Sequence, residues 1–282
     1  MANESMREMW TECGSGWVEN AAMFDRVFAP VTAVLVETAR LGPGHRALDV
    51  GCGTGTLLAE AVAAGAQATG IDISPTMTEA AAERVPESAV VLADAQDADL
   101  AALPGAPFDR VISRFGTMFF DDPTAAFRSI RTACSSDAEL TFACWRSARE
   151  NPTFTMGMGP LLARLTTPPP KPAAGTPGPV AFADPEHVRH ILDDSGWTGI
   201  TIEPFDFEFV HGVDDDGVEE RLKLILSTFT PAGTPASAEL RGTLNDDEWA
   251  SFLDEVRAEI RTYVVDGHVR HAGACWLVTA RA

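Results

Sequence analysis

The chain has 282 residues, 45% of them hydrophobic and 22% charged, proportions that exclude a disordered, collagen-like or coiled-coil protein. At about 150 residues per domain the length suits one large domain or two small ones. Forty-one acidic residues against 21 Lys plus Arg leave a net charge of −20, which repels a phosphate backbone and an anionic leaflet, so neither nucleic acid nor membrane is an expected partner.

Cys13, Cys52, Cys134, Cys144 and Cys275 are scattered and form no CxxC pair, which argues against a disulfide framework and a structural zinc site. The start of the chain lacks a basic stretch followed by an apolar run, and nowhere do ~18 apolar residues run together. A soluble protein in a reducing, cytoplasmic compartment is the expectation.

In chain order, residues 1–44 read as a helical lid segment. From His45 to Cys144, short apolar runs alternate with helix-like stretches, the pattern of βαβ units and a parallel sheet. Strands are expected at 46–50, 68–73, 89–93, 108–113 and 138–144, with helices after the first, second and fourth. Ser74 followed by Pro75 gives the second helix a capped start. Pro168 to Pro179, too proline-rich for a ladder or a helix interior, reads as a stiff surface excursion within 151–184. A helix opens at Asp184-Pro185-Glu186, and a strand follows from Thr198 to Val210 with Phe205, Phe207 and Phe209 alternating with acids. Helices at 216–227 and 246–264 make residues 211–271 a helical cap, and residues 272–282 close a core that otherwise spans 45–210.

The most informative segment is Ala47-Leu-Asp-Val-Gly51-Cys-Gly53-Thr-Gly55, an apolar strand entering a glycine turn and then a helix. Glycines let a backbone approach a ligand closely, and the helix start beyond presents free N–H groups. A dinucleotide fingerprint would place a glycine or alanine where Thr56 stands, so the nicotinamide reading loses its motif. Asp49, two residues before Gly51, would repel a pyrophosphate but attract an ammonium or sulfonium. Asp72, at the end of the second strand, suits the hydroxyls of a ribose, and Asp94, just past the third, suits the amino edge of an adenine. Three acids at consecutive strand ends describe a ligand with amine, ribose and adenine, a list that S-adenosylmethionine fits and a dinucleotide does not.

Leu48-Asp-Val-Gly-Cys-Gly-Thr-Gly55, Gly70-Ile-Asp-Ile-Ser74 with Met77, Asp94-Ala95, and Phe108-Asp-Arg-Val-Ile-Ser-Arg-Phe-Gly116 leading to Phe119-Phe-Asp-Asp-Pro123 together resemble the class I S-adenosylmethionine-dependent methyltransferases, in the ubiquinone/menaquinone-type, type 11 branch. The resemblance covers residues 45 to 146. It implies a Rossmann-like α/β fold: a mostly parallel sheet with its last strand antiparallel, helices on both faces, and a helical lid. It also implies that Asp49, Gly51, Cys52 and Gly53 hold the methionyl end, Asp72 the ribose, Ile73 and Met77 the adenine faces, and Asp94 with Ala95 its edge. Arg114 would lie beside the amine, mainly through backbone. Cys134-Ser-Ser-Asp137 departs from the family, whose members usually carry a Pro-Gly-Gly turn there.

Ligands of open α/β sheets bind beyond the carboxyl ends of the strands. Trp145, Arg114, Phe115 and Met118 leave strands five and four there, and Trp10 and Trp17 come from the N-terminal helices; these six are the candidate acceptor contacts. The implied reaction moves a methyl group to O, N or C of a small, largely apolar metabolite by in-line displacement, releasing S-adenosylhomocysteine. No dedicated base is visible, although His211 and His268 lie near the expected mouth. His-Val-Arg-His occurs at 187–190 and 268–271 without acids or cysteines at ligand spacing, so no metal is expected. Alternatives are a cofactor-bound cyclase or isomerase on the same fold, a non-catalytic regulatory partner, and an NAD oxidoreductase; a homodimer is left open.

Overall fold

A computed structural model describes residues 3–165, 175–227 and 236–282. Three helices lead in: α1 (Glu4–Glu19), α2 (Ala21–Val27) and α3 (Ala29–Ala39). The alternating core follows as β1 (Arg46–Val50), α4 (Thr56–Ala63), β2 (Gln67–Asp72), α5 (Pro75–Arg84), β3 (Ala89–Leu92), β4 (Phe108–Arg114), α6 (Pro123–Thr132) and β5 (Cys134–Trp145). Beyond it lie α7 (Gly159–Leu162), α8 (Pro185–Asp194), β6 (Thr198–His211), α9 (Val218–Ser227), α10 (Ala236–Thr243), α11 (Asp246–Arg261), β7 (Val264–Val265) and β8 (His268–Arg281). Among the described residues no helix is long and apolar enough to cross a membrane.

The described residues divide into two compact units, one of 3–147, 175–205 and 275–282, the other of 148–165, 206–227 and 236–274. The strands are ordered β3-β2-β1-β4-β5-β8-β6, with β7 paired to β8. β1 to β5 run parallel and β8 runs antiparallel to β5. In the first unit the strands are near-continuous apolar runs because helices cover them: Leu48, Val50, Ile71, Val111, Leu140 and Phe142 are buried. The strand order reverses between β1 and β4, and a crevice opens at the carboxyl ends on either side of such a switch point.

Helix starts follow the sequence signals. The Ser74 side chain accepts from the Met77 amide and Asp184 from that of Glu186, each ahead of a proline at the first helical position. In the second unit, α11 opens on a reciprocal capping box between Asn245 and Glu248. Phe252, Val256 and Ile260 of α11 pack with Met156, Leu161, Val218, Leu222 and Val269 in a core of that unit's own.

Three expectations are corrected. β5 starts at Cys134, so Cys134–Asp137 is strand and not a turn. Cys134 pairs with Phe108, and a bulge absorbs the shift before Glu139 pairs with Arg110. The closing strand begins at His268, not after residue 271, because Asp266 (φ 50°) and Gly267 (φ 82°) form a hairpin turn that sets Val264 against Val269. The second His-Val-Arg-His copy therefore lies on a strand, where residues three apart face opposite sides. Helix α10 was not foreseen. Most of the proline-rich excursion lies outside the described residues.

Candidate active site

The glycine turn after β1 is held by its own backbone. The amides of Gly51 and Cys52 donate to the Ile71 carbonyl at 2.9 and 3.1 Å, and the Gly55 amide donates to Cys52. Gly51, Gly53 and Gly55 have φ of 69°, 53° and 83°, a region that side chains rarely adopt. Space is equally restrictive. A Cβ on Gly51 would fall 2.8 Å from the Cα of Gly116, and one on Gly116 would fall 2.6 Å from the Val50 carbonyl oxygen. The loops leaving β1 and β4 thus meet backbone to backbone, and Gly116, which sequence reasoning did not single out, is half of that contact.

The three acids stand at the ends of adjacent strands, all buried: Asp49 on β1, Asp72 on β2, and Asp94 two residues past β3. Asp72 accepts from the amides of Gly53 (2.8 Å) and Ser74 (2.9 Å), which ties the glycine turn to the start of α5. Burial raises its carboxyl above the ordinary range against those hydrogen bonds. The Ile73 amide adds a third hydrogen bond, and of a carboxylate's four acceptor sites one remains.

Asp94 accepts from the Gln96 amide at 2.9 Å through one oxygen, while the other is buried without a partner. Both oxygens of Asp49 are buried and unpartnered. Burial pushes its carboxyl up to about 8, with Arg114 pulling it down and Asp72 adding to the rise. Buried polar atoms are normally hydrogen-bonded, so these three oxygens mark where ligand donors fit. An ammonium suits Asp49 and an exocyclic amine suits Asp94.

Cys52 packs under the turn, and a Cβ on Gly70 would come within 2.8 Å of its sulfur. Burial, with the charges of Asp72 and Asp49, holds its thiol well above the ordinary value. Met77 and Ala95 are buried, and the Met77 sulfur would lie 3.9 Å from a Cβ on Gly53. Ile73 follows Asp72 between β2 and α5.

Arg114 ends β4, and its guanidinium points to the N-terminal helices. It donates to Thr32 Oγ1 at 2.6 Å and to Thr56 Oγ1 at 3.3 Å, and lies 5.5 Å from the centre of the Phe28 ring. Thr56 donates to Asp25 at 2.5 Å, and Asp25 pairs with Arg84 at 2.7 Å. Asp25, Thr32 and Arg84 carried no signal in the sequence, since contacts between residues so far apart along the chain are not periodic.

The aromatic candidates come together. The Phe115 and Trp145 rings stack at 4.2 Å with 1° between their planes, and Phe28 is tilted against both. From Phe28 the rings continue through Phe24 to Trp17 and Trp10, and Trp10 stands edge-on to Phe119 at 4.9 Å. The Trp10 carbonyl also accepts from the Ser74 hydroxyl at 3.0 Å, which joins α1 to the start of α5. Met118 is buried, and its carbonyl accepts from the Gly178 amide.

The two candidate bases belong to the second unit. His211 is buried; its Nδ1 lies 3.2 Å from Glu220 and its Nε2 3.3 Å from His271, so both nitrogens are engaged internally. Burial first, then Arg221, pushes His271 down to about 3, so that its ring stands neutral. The Nδ1 of His268, at the start of β8, is buried without a partner. Among the described residues no group of His, Cys, Asp and Glu could hold a metal ion.

Residues 48–142 match the methyltransferase domain of type 11. The chain is 31% identical over 182 residues to the uncharacterized protein Rv1405c of Mycobacterium tuberculosis, a match covering 64% of this chain and 63% of that one. It is 28% identical over 159 residues to the aklanonic acid methyltransferase DauC of a Streptomyces species, covering 53% and 69%. The chain thus spans a little under two thirds of the length of the mycobacterial relative. Its fold is similar to that of Haemonchus contortus phosphoethanolamine N-methyltransferase 2 in complex with S-adenosyl-L-methionine: TM-score 0.51, 14% identity, 89% of this chain and 52% of that one.

Proposed function

We propose that this chain, whose residues 48–142 match a methyltransferase domain, binds S-adenosylmethionine and moves its methyl group to a small, largely apolar metabolite. The observation that carries the reading is the buried Asp49 carboxylate, unpartnered on both oxygens beside a glycine turn, in line with Asp72 and the half-free Asp94. A buried carboxylate so exposed to its own desolvation cost is explained by a cationic ligand group.

Asp49 would hold the ammonium, Asp72 the ribose, and Asp94 the adenine amine, with Met77 and Ile73 against the ring faces. When bound, the cofactor supplies an electrophilic methyl on a sulfonium. The chain's own part is alignment: the glycine turn fixes one end of the ligand, and the Phe115–Trp145 pair with Phe28, Trp17 and Trp10 offers an apolar surface that excludes water and receives an acceptor's flat or aliphatic body. Effective molarities of well-oriented groups reach ~10⁵ M or more, so alignment can supply most of the rate without a strong base.

Calorimetric titration with S-adenosylmethionine, S-adenosylhomocysteine and NAD tests the reading, with Asp49→Asn and Asp72→Ala as controls. Binding of both sulfur ligands, weakened in each variant, is expected. Binding of NAD alone, or of none of the three, overturns it.

A further inference from the structure

Asp49 pairs in register with Ile112 on the neighbouring strand, which puts Arg114, two residues further on, on the same face of the sheet, yet the two form no bond. Both Asp49 oxygens are unpartnered, whereas the Arg114 Nη atoms donate to Thr32 and Thr56. A buried guanidinium beside a buried carboxyl gains by pairing with its ionised form, because alone it carries its desolvation cost uncompensated. Something holds them apart.

The Thr56 hydroxyl shows what does. It has one proton to donate and two acceptor sites. The proton goes to Asp25 at 2.5 Å, and the acceptor sites face Arg84 at 3.4 Å and Arg114 at 3.3 Å. Asp25 also pairs with Arg84 at 2.7 Å and supplies the largest attraction acting on Arg114. One carboxylate on α2 thereby orients the hydroxyl at the start of α4, the guanidinium at the end of α5, and the guanidinium at the end of β4.

We propose that Asp25 is a positioning residue of the cofactor site: it draws Arg114 towards the N-terminal helices and so leaves the Asp49 carboxylate open for the ligand's ammonium. Without Asp25, Arg114 keeps a like-charged neighbour in Arg84 and finds its nearest remaining carboxylate in Asp49, and the two close on each other. The proposal rests on the reading that Asp49 holds an ammonium. It makes α2 part of the cofactor site although none of its side chains touches the ligand.

The test is a double-mutant cycle on S-adenosylhomocysteine binding, measured by calorimetry on the full chain with Asp25→Ala, Arg114→Gln and the two combined. The expected result is a loss of about 10-fold or more from Asp25→Ala in the native background and little loss from it in the Arg114→Gln background, where no guanidinium remains to cover Asp49. Equal losses in both backgrounds, or no loss in the native one, overturn the proposal. 5′-Methylthioadenosine, which lacks the amino-acid end, should bind all four proteins alike; its loss in Asp25→Ala reveals a general collapse and also counts against the proposal. Should Asp25→Ala fail to fold, Thr56→Val, which removes the relay without removing a charge, takes its place in the cycle with the same expected outcome. Asp49→Asn separates the two readings: if it leaves the affinity of the native chain unchanged, the assignment of Asp49 fails and not merely that of Asp25.

Discussion

Phe115 and Trp145 lie face to face at 4.2 Å, and the stack exists because Phe115 adopts a left-handed backbone, φ 65°. Its amide donates to the Ala143 carbonyl at 3.0 Å, which fixes that conformation at the end of β4. For a bulky side chain such a backbone costs roughly 1–3 kcal/mol and is kept where surrounding structure imposes it. The usual order of glycine and alanine should therefore invert here. Phe115→Ala and Phe115→Gly both lose the ring, but only alanine retains the strain, so the glycine variant should be the more stable by about 1 kcal/mol in denaturant unfolding. An alanine variant as stable as the glycine one would show that the backbone relaxes once the ring is gone.

Gly116, one residue on, makes a different demand. Its φ of −87° is ordinary, so a substitution there is opposed by space alone: a Cβ would sit 2.6 Å from Val50 O and 3.0 Å from Gly51 Cα. Gly116→Ala should lower the unfolding free energy by about 1–3 kcal/mol, as overpacking does, and weaken S-adenosylhomocysteine binding by displacing the turn at Gly51. Unchanged stability and affinity would mean that the two loops move apart freely.

These two neighbours show where the sequence is legible. β1 and β2 are short, largely buried runs that end at Gly51 and Asp72, and buried parallel strands leave that trace. The acids at their ends are equally readable, since motif and strand end coincide. Cys134-Ser-Ser-Asp137 has no strand pattern, and it pairs only because a bulge lets β5 run past its expected start. The Asp266-Gly267 turn sets His268 to His271 in the closing strand, whose expected start was residue 272. The Asp25–Thr56–Arg84–Arg114 network joins four elements through side chains alone, and nothing in local periodicity reports it.

The raised carboxyl of Asp49 has consequences with a definite sign. Between its ordinary value of 3.8 and its value of about 8 in the fold, the folded chain holds a proton that the unfolded chain has released. Stability from this group is therefore present at low pH and lost as pH rises through that window, by up to roughly 1.4 kcal/mol per unit, and is flat above 8. Asp49→Asn removes this loss, so its Tm should rise relative to the native chain between pH 5 and 8 and then keep a constant lead. An ammonium ligand needs the ionised form, so binding near pH 7 should release a proton. Calorimetry of S-adenosylhomocysteine in buffers of different ionisation enthalpy reads that release, and proton uptake would contradict the assignment.

Asp94 offers a test of ligand identity that a simple loss of binding does not. One oxygen is committed to the Gln96 amide, and the other is buried with no partner, an acceptor waiting for a donor. Adenine presents an amino group at its exocyclic position and hypoxanthine presents a carbonyl. Asp94→Asn keeps the shape and, with its amide oxygen retained by Gln96, turns an NH₂ into the site in place of the free oxygen. The variant should lose about 10-fold or more in affinity for S-adenosylhomocysteine and gain for S-inosylhomocysteine, because an unpaired buried donor or acceptor costs about 1–3 kcal/mol on either side. Comparing the two ligands on both proteins removes general effects on the fold. If the preference for adenine is the same in the variant and the native chain, Asp94 does not read the base edge, and the third of the three acids leaves the site.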